Sequence, residues 1–304
     1  ETPNLTDRTL EALKEGGASS TLKALRLGSL SSTDQFHDYS ITGIMGDAME
    51  SLELQNQTGF EDSSCFMLLG SDAIPNMNTL SLQGGPFTDS GLEYLCNSGF
   101  GPSLSTLLLD GVEGITDAGI ATLTGNQVGP LLANLTLANL PSITDAAMDS
   151  LIKGSFGFIA QSLVLSNVNI TSPSFVRLAD TGFGVALINL DLSDLKSFAD
   201  EDLSVLVRGG CGLALESLTL KNLPSLTDAP LILMSTECGP KLQALSLSNI
   251  PKVTDRSIQA LSDRRLGEKL TSLVLNNVPK ITNESVKHLA ENGCGIRIIN
   301  LCFS

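Results

Sequence analysis

The chain has 304 residues, 42% of them hydrophobic, which is ample for a continuous core, but only 4% aromatic and without tryptophan. That composition suits narrow leucine-packed layers and leaves few aromatic anchors for a binding hot spot. Thirty-three acidic against eighteen Lys and Arg residues give a formal net charge of −15, which argues against nucleic acid along most of the chain, since phosphates need cations.

In chain order, residues 1–19 hold the second half of a structural unit, a helix with Asp7, Leu10 and Leu13 and no strand before it. The first full unit begins at Leu22. Its Thr33-Asp34 is placed at a helix start, and His37 and Ser40 then fall where an apolar stripe belongs, with Phe36, Ile41 and Ile44 filling in. His37 is read as a structural residue. The next two units open their strands with Met49 and Met77. From the fourth unit to the tenth the spelling is regular, and Leu242–Leu261 shows it most plainly. Leu242, Leu245 and Leu247, at spacings of three and two, describe a short strand entered from a turn. Ile250 points inward, Pro251 closes the strand, and Val253 returns to the core. Thr254-Asp255 offers side-chain oxygens to a helix start, and Ile258 and Leu261 form the helix's inner stripe. The sixth and seventh units carry weaker caps, Thr171-Ser172 and Ala199-Asp200. Ile298, Leu301 and Phe303 begin an eleventh strand.

The central strand leucine recurs at Leu25, Leu52, Leu80, Leu107, Leu135, Leu163, Leu190, Leu218, Leu245, Leu273 and Leu301, in steps of 27 or 28. A glycine stands three before the first strand position in nine of the eleven units (Gly46 and Gly212 among them), as a turn needs for positive φ or close backbone approach. One strand–turn–helix unit cannot bury its own apolar face, whereas stacked neighbours can. The predicted fold is therefore an α/β leucine-rich-repeat solenoid, a horseshoe with parallel strands on the concave face and short helices on the convex face. Residues 1–304 are expected to form a single such domain of about eleven repeats, partial at each end. Both ends are expected to be covered by further chain or by a partner.

The segments LANLPSITDAAMDSL, LKNLPSLTDAPLIL and LSNIPKVTDRSIQAL resemble the cysteine-containing leucine-rich repeats. These occur in F-box leucine-rich proteins, in a mitotic-exit antagonist family and in the repeat subunit of the fungal excision-repair ubiquitin ligase. The family's namesake cysteine is replaced throughout, by Leu30, Val112, Leu140, Val168, Leu195, Leu223, Ile250 and Val278. The resemblance implies substrate-binding repeats of a ubiquitin ligase. Its adaptor would be bound by an F-box upstream of Glu1, which is not a start methionine.

Charge is uneven. No Lys or Arg lies between Leu27 and Ile152, a window with fifteen acids, whereas Lys241 to Arg297 holds nine bases against five acids. A basic protein partner on the amino-terminal half is one expectation. Weak nucleic-acid affinity at Lys252, Arg256, Arg264, Arg265 and Lys269 is another. Cys211, Cys238 and Cys294 occupy an apolar slot and Cys65 the inner helix stripe, so they read as buried thiols and favour a reducing, cytoplasmic or nuclear home. Five Asn-x-Ser/Thr sequons occur, barely more than chance supplies. No signal peptide and no membrane-length apolar run is read, so no membrane partner is expected.

No catalytic constellation, metal-ligand spacing or cofactor motif is read, so the chain is expected to be non-enzymatic, with no cofactor and no metal. The outward strand face remains. Its positions are mostly small and uncharged, with Leu108, Val164, Ile188 and Val274 as exposed apolar points and Asp191 beside them. A file of asparagines follows the strands, including Asn139, Asn167, Asn222, Asn249 and Asn277. These ten residues are the candidate partner-binding set, although short amides after strands also serve turns. Two alternative functions stay open: a DNA-repair ligase subunit of the excision-repair type, and a secreted or cell-surface recognition ectodomain.

Overall fold

Every unit alternates one strand with one helix, and the leucine pattern places both. The computed structural model describes residues 6–28, 36–68, 76–97, 103–125, 131–154, 156–238, 241–262, 269–291 and 298–303. Thr33-Asp34, Leu30, Arg264, Arg265 and Cys294 lie outside them.

The chain divides into two compact units, residues 1–159 and 160–304. In the first, strands β1 (Ala24–Leu27), β2 (Ser51–Gln55), β3 (Thr79–Gln83), β4 (Thr106–Leu108) and β5 (Asn134–Thr136) alternate with helices. Those helices are α1 (Asp7–Glu15), α2 (Asp38–Ile44), α3 (Asp62–Leu68), α4 (Asp89–Asn97), α5 (Asp117–Gly125), α6 (Asp145–Lys153) and a single turn, α7 (Phe156–Ile159). The second unit has strands β6 (Ser162–Val164), β7 (Asn189–Asp191), β8 (Ser217–Lys221), β9 (Ala244–Ser248), β10 (Ser272–Asn276) and β11 (Asn300–Phe303). Its helices are α8 (Ser172–Asp180), α9 (Asp200–Arg208), α10 (Asp228–Glu237), α11 (Asp255–Ser262) and α12 (Asn283–Glu291).

Within each unit the strands pair in parallel with their sequence neighbours. The register matches the leucine frame, Leu52 opposite Leu80 in one unit and Leu218 opposite Leu245 in the other. Parallel pairing demands a long crossover, and a helix supplies it in each repeat. The repeated leucines are buried, Leu52, Leu107 and Leu245 among them, as are Met49 and Met77. Val112, Leu140, Leu223 and Ile250, which follow the strands, are buried too. The fold is a leucine-rich-repeat solenoid of parallel strands alternating with short helices.

The glycine before the strand serves the two purposes its placement suggests. Gly184 has φ +89°. Gly46 and Gly212 have no positive φ but lie against the Ser19 carbonyl and Cys238, where a Cβ would collide.

The Thr-Asp pairs do more than cap their own helices. Thr88, Thr116, Thr227 and Thr254 each accept the amide of the residue two on, at 3.2–3.3 Å, as N-caps do. The aspartates reach forward one repeat. Asp89 accepts the Thr116 amide (2.8 Å) and hydroxyl (2.6 Å). Asp117 does the same for Thr144, Asp200 for Thr227, Asp228 for Thr254 and Asp255 for Thr282. In these repeats the first helical carboxylate thus holds the helix start of the next.

The first full repeat corrects the sequence reading. Its helix starts at Asp38 with His37 at the N-cap, four residues later than Thr33-Asp34 placed it. His37 therefore stands in the threonine slot, donating its amide to Asp7 (2.9 Å) with Nδ1 2.6 Å from the same carboxylate. Ser40 is likewise no misplaced stripe residue. It is buried at the third helical position and donates to Asp7 (2.5 Å), as Ser257 does to Asp228 (2.5 Å). Ile41 and Ile44 then fall on the regular inner stripe.

Candidate functional site

On a strand with alternate side chains buried, the intervening ones face outward. In β2, Leu52 and Leu54 are buried while Ser51 and Glu53 are half-buried. The register carries these positions from strand to strand, so the outward residues form columns across each unit, although Ser81 in β3 is itself buried. One column runs Arg26, Glu53, Ser81, Leu108, Thr136 in the first unit and Val164, Asp191, Thr219, Ser246, Val274 in the second.

In the first unit the face begins with charge. Lys23 is 2.7 Å from Glu50, and Arg26 is 2.7 Å from Glu53, each pair bridging adjacent repeats. Sequence reasoning missed these pairs, although opposite charges 27 apart in a 27-residue repeat are a legible signal. Beside them lies an open depression of about 380 Å³ lined by Arg26, Glu53, Gln55, Ser81 and Gln83 among others. Beyond Ser81 the face becomes neutral. Leu108 is half-buried at a solvent-facing position, next to Thr136. Asn134 donates to the Thr106 hydroxyl across the same two strands (3.0 Å).

In the second unit Val164 and Asp191 are register partners on β6 and β7. The Asp191 carboxylate is turned along its own chain, accepting the Ser193 amide (2.9 Å) and hydroxyl (2.5 Å). Ile188 is half-buried just before β7, its amide bonded to the Gln161 carbonyl (2.8 Å). Val274 is half-buried on β10 between Ser246 and Cys302. The structure therefore brings Val164, Asp191 and Ile188 onto adjoining strands and leaves Val274 several strands away.

The asparagine file has its own geometry. Asn139, Asn167, Asn222, Asn249 and Asn277 all have φ between 51° and 56°, in the left-handed region that Asn tolerates better than most residues. Gly84, Gly111 and Asp194 hold the same place in their repeats, also at positive φ. Amides run along the file: Asn277 donates to Asn249 (2.6 Å), Asn249 to Asn222 (2.5 Å), and Asn222 to Asp194 (2.6 Å). Asn139 donates to Asp110 in the first unit (2.7 Å). All five asparagines keep exposed surface above these bonds.

The cysteines are placed for packing. Cys65 and Cys211 are buried and Cys238 half-buried, and burial first of all pushes the Cys211 and Cys238 thiols up to about 12, unreactive at neutral pH. Cys302 is exposed. Among the described residues no group of three or more His, Cys, Asp or Glu is arranged to hold a metal, and no helix is long and apolar enough to cross a membrane.

No family model and no curated protein matches the sequence. Solved structures match at the level of the fold. The yeast Rad7 structure, determined as a complex with Elc1, is 20% identical over 92% of this chain and 81% of its own, with a TM-score of 0.53. TLR13, determined with the single-stranded RNA ssRNA13, is 19% identical at TM-score 0.53, and although 93% of this chain aligns it spans only 35% of that protein. Internalin InlF of Listeria monocytogenes is 15% identical over 99% of this chain and 83% of its own, TM-score 0.50.

Proposed function

We propose that the chain is a non-enzymatic scaffold that recognises a protein partner through its outward strand face. The observation that carries this is the occurrence of Leu108, Val164 and Val274 at outward strand positions, where they are half-buried and keep part of their apolar surface in solvent. A solvated face gains nothing from apolar side chains, whereas a partner that buries them gains roughly 25 cal/mol per Å². Asp191, Ile188 and the exposed amides of Asn139, Asn167, Asn222, Asn249 and Asn277 supply adaptable polar contacts at the rim.

At finer grain we assign the chain as substrate-binding repeats of a ubiquitin ligase. This rests on the resemblance to F-box leucine-rich proteins, and the adaptor would be held by residues upstream of Glu1. The complex of Rad7 with Elc1 is compatible with a protein of this fold working inside an assembly. The cytoplasm or nucleus is the compartment this reading requires.

Proximity labelling in cells with the native protein tests both levels. Leu108→Glu with Val164→Glu should lose a set of neighbours that Gln259→Glu, on the exposed side of α11, retains. A ligase adaptor among the neighbours of all three would support the finer assignment. Retention of every neighbour by the strand-face variant, folded to the same helix content, would sink the scaffold reading.

A second reading has its own observation: Lys252, Arg256 and Lys269 are each exposed, in a stretch, Lys241 to Arg297, with nine bases against five acids. The excision-repair type of function would use them for DNA. Duplex affinity should then fall steeply with salt and be lost on Lys252→Gln with Arg256→Gln. Affinity unaltered by those changes removes this reading.

A further inference from the structure

We propose that the outward side of α3 and α4 is a second docking surface, for a cationic protein segment that carries apolar anchors. It lies on the helices and does not depend on the strand-face reading.

The two helices pack side by side, and Asp62, first in α3, accepts the Thr88 amide (2.9 Å) at the entrance to α4. Both helices open on an aspartate, so their positions are counted from the same point. Met67 and Tyr94 are the sixth residues of α3 and α4, and 44% and 43% of their surfaces are exposed. The same helical position holds Gly43 in α2 and Thr122 in α5, as solvent permits. A thioether and a phenol ring at equivalent points of adjacent helices form a small apolar saddle.

Charge identifies the occupant. Glu61 and Glu93 are exposed at the entrance to α3 and in α4, and Glu113 is exposed before α5. Across residues 27–152 there is no Lys or Arg to neutralise them. The more numerous aspartates of this region are a separate matter, because Asp62, Asp89 and Asp117 already accept amides and hydroxyls from the next repeat. The carboxylates exposed at these helices are those of Glu61, Glu93 and Glu113, whereas Asp62, Asp89 and Asp117 are half-buried, and the Ser63 hydroxyl that Glu61 accepts (3.1 Å) leaves its charge in place. Lys or Arg side chains suit the saddle doubly, with the head near carboxylates and the stem or guanidinium over Tyr94 and Met67.

The full chain titrated with a synthetic amphipathic helix, leucine on one face and lysine on the other, tests this. Affinity should drop roughly tenfold for Met67→Ser with Tyr94→Ser, the loss expected when two apolar anchors are truncated. Glu61→Gln with Glu93→Gln should weaken binding and flatten its dependence on salt. Glu201→Gln with Glu237→Gln, in the second unit, should leave binding unchanged. All these positions are exposed or half-buried, so an unchanged thermal midpoint verifies folding. Equal affinity for polylysine, unaffected by the serine variants, would overturn the proposal in favour of diffuse charge attraction. A salt-sensitive dimer of the chain alone that Glu93→Lys dissolves would overturn it in favour of a second copy.

Discussion

A carboxylate in the first turn of a helix ordinarily favours its own N-terminus. Asp228 instead gives both oxygens to the following repeat, accepting the Thr254 amide (2.8 Å), the Thr254 hydroxyl (2.7 Å) and the Ser257 hydroxyl (2.5 Å). Asp228→Ala leaves all three donors without that acceptor, and denaturant unfolding should show a loss of about 2–4 kcal/mol. Asp228→Asn, which keeps an acceptor oxygen, should lose less. One repeat shows how the arrangement is repaired. Ser172 stands where the aspartate belongs, so the next helix start, Ala199, receives no carboxylate from behind. Asp202, buried in the same helix, reaches back to accept the Ala199 amide (2.8 Å).

Two of these carboxyls also set a pH dependence. Partial burial acts to raise Asp255, but the Ser285 and Thr282 hydroxyls and amides outweigh it and hold the group below its ordinary value. Asp7 is held low in the same way, by Ser40, His37 and Tyr39 against burial. A depressed folded-state value contributes stability above the unfolded value, about 3.9, that is lost as pH falls through the folded one. The urea midpoint should therefore fall on acidification below about pH 4, and Asp255→Asn should flatten that fall. An unchanged slope in the variant would contradict the assignment.

At the scale of the element, the turn after each strand is decided by backbone conformation. Asn249 has φ +54° and both donates to and accepts from its neighbours in the file. Asn249→Gly keeps the conformation and removes exposed bonds, for about 0.5–1 kcal/mol. Asn249→Ala adds the steric cost of a left-handed alanine, about 1 kcal/mol more. Thermal unfolding of the pair separates the two contributions, and equal losses would mean that conformation is not what selects asparagine here. The helix start shows a similar economy of space. Gly91 sits where a Cβ would collide with Asp62 and the Phe87 ring, so Gly91→Ala should cost about 1–3 kcal/mol. Other repeats hold Ser64, Ala147 or Ser257 in this slot, all of them buried, and Ser257 donates there to Asp228.

Over the whole molecule, charge separates the two units. Residues 1–159 carry nineteen acids and five bases, and residues 160–304 fourteen and thirteen. The ladder accounts for part of the first unit's excess, since Asp7, Asp62, Asp89 and Asp117 are engaged by amides and hydroxyls rather than by Lys or Arg, with the His37 ring also at Asp7. The remainder repels itself and is screened by salt. Raising salt should slow amide hydrogen exchange in residues 6–154 of the intact chain more than in residues 160–291. Equal slowing would show that the charge is locally compensated.

Much of this was legible in the chain itself. Burial of every second strand residue is a local property, so LxxLxL at a constant period placed the strands, their register and the buried leucines from sequence alone. Left-handed turns at Asn139 or Asn249 were legible in kind, because short amides after a strand favour them. The direction of the Asp bonds, the start of α2 at His37 rather than Thr33, and the repair by Asp202 were not. The first two depend on what the preceding repeat presents about 27 residues away, across a spacing that only stacking creates, and the third on the aspartate that Ser172 replaces there. The two surfaces differ in this respect. Strand alternation already placed Leu108 outward, whereas Met67 and Tyr94 were not singled out, and their exposure follows from which side of a packed helix each one takes.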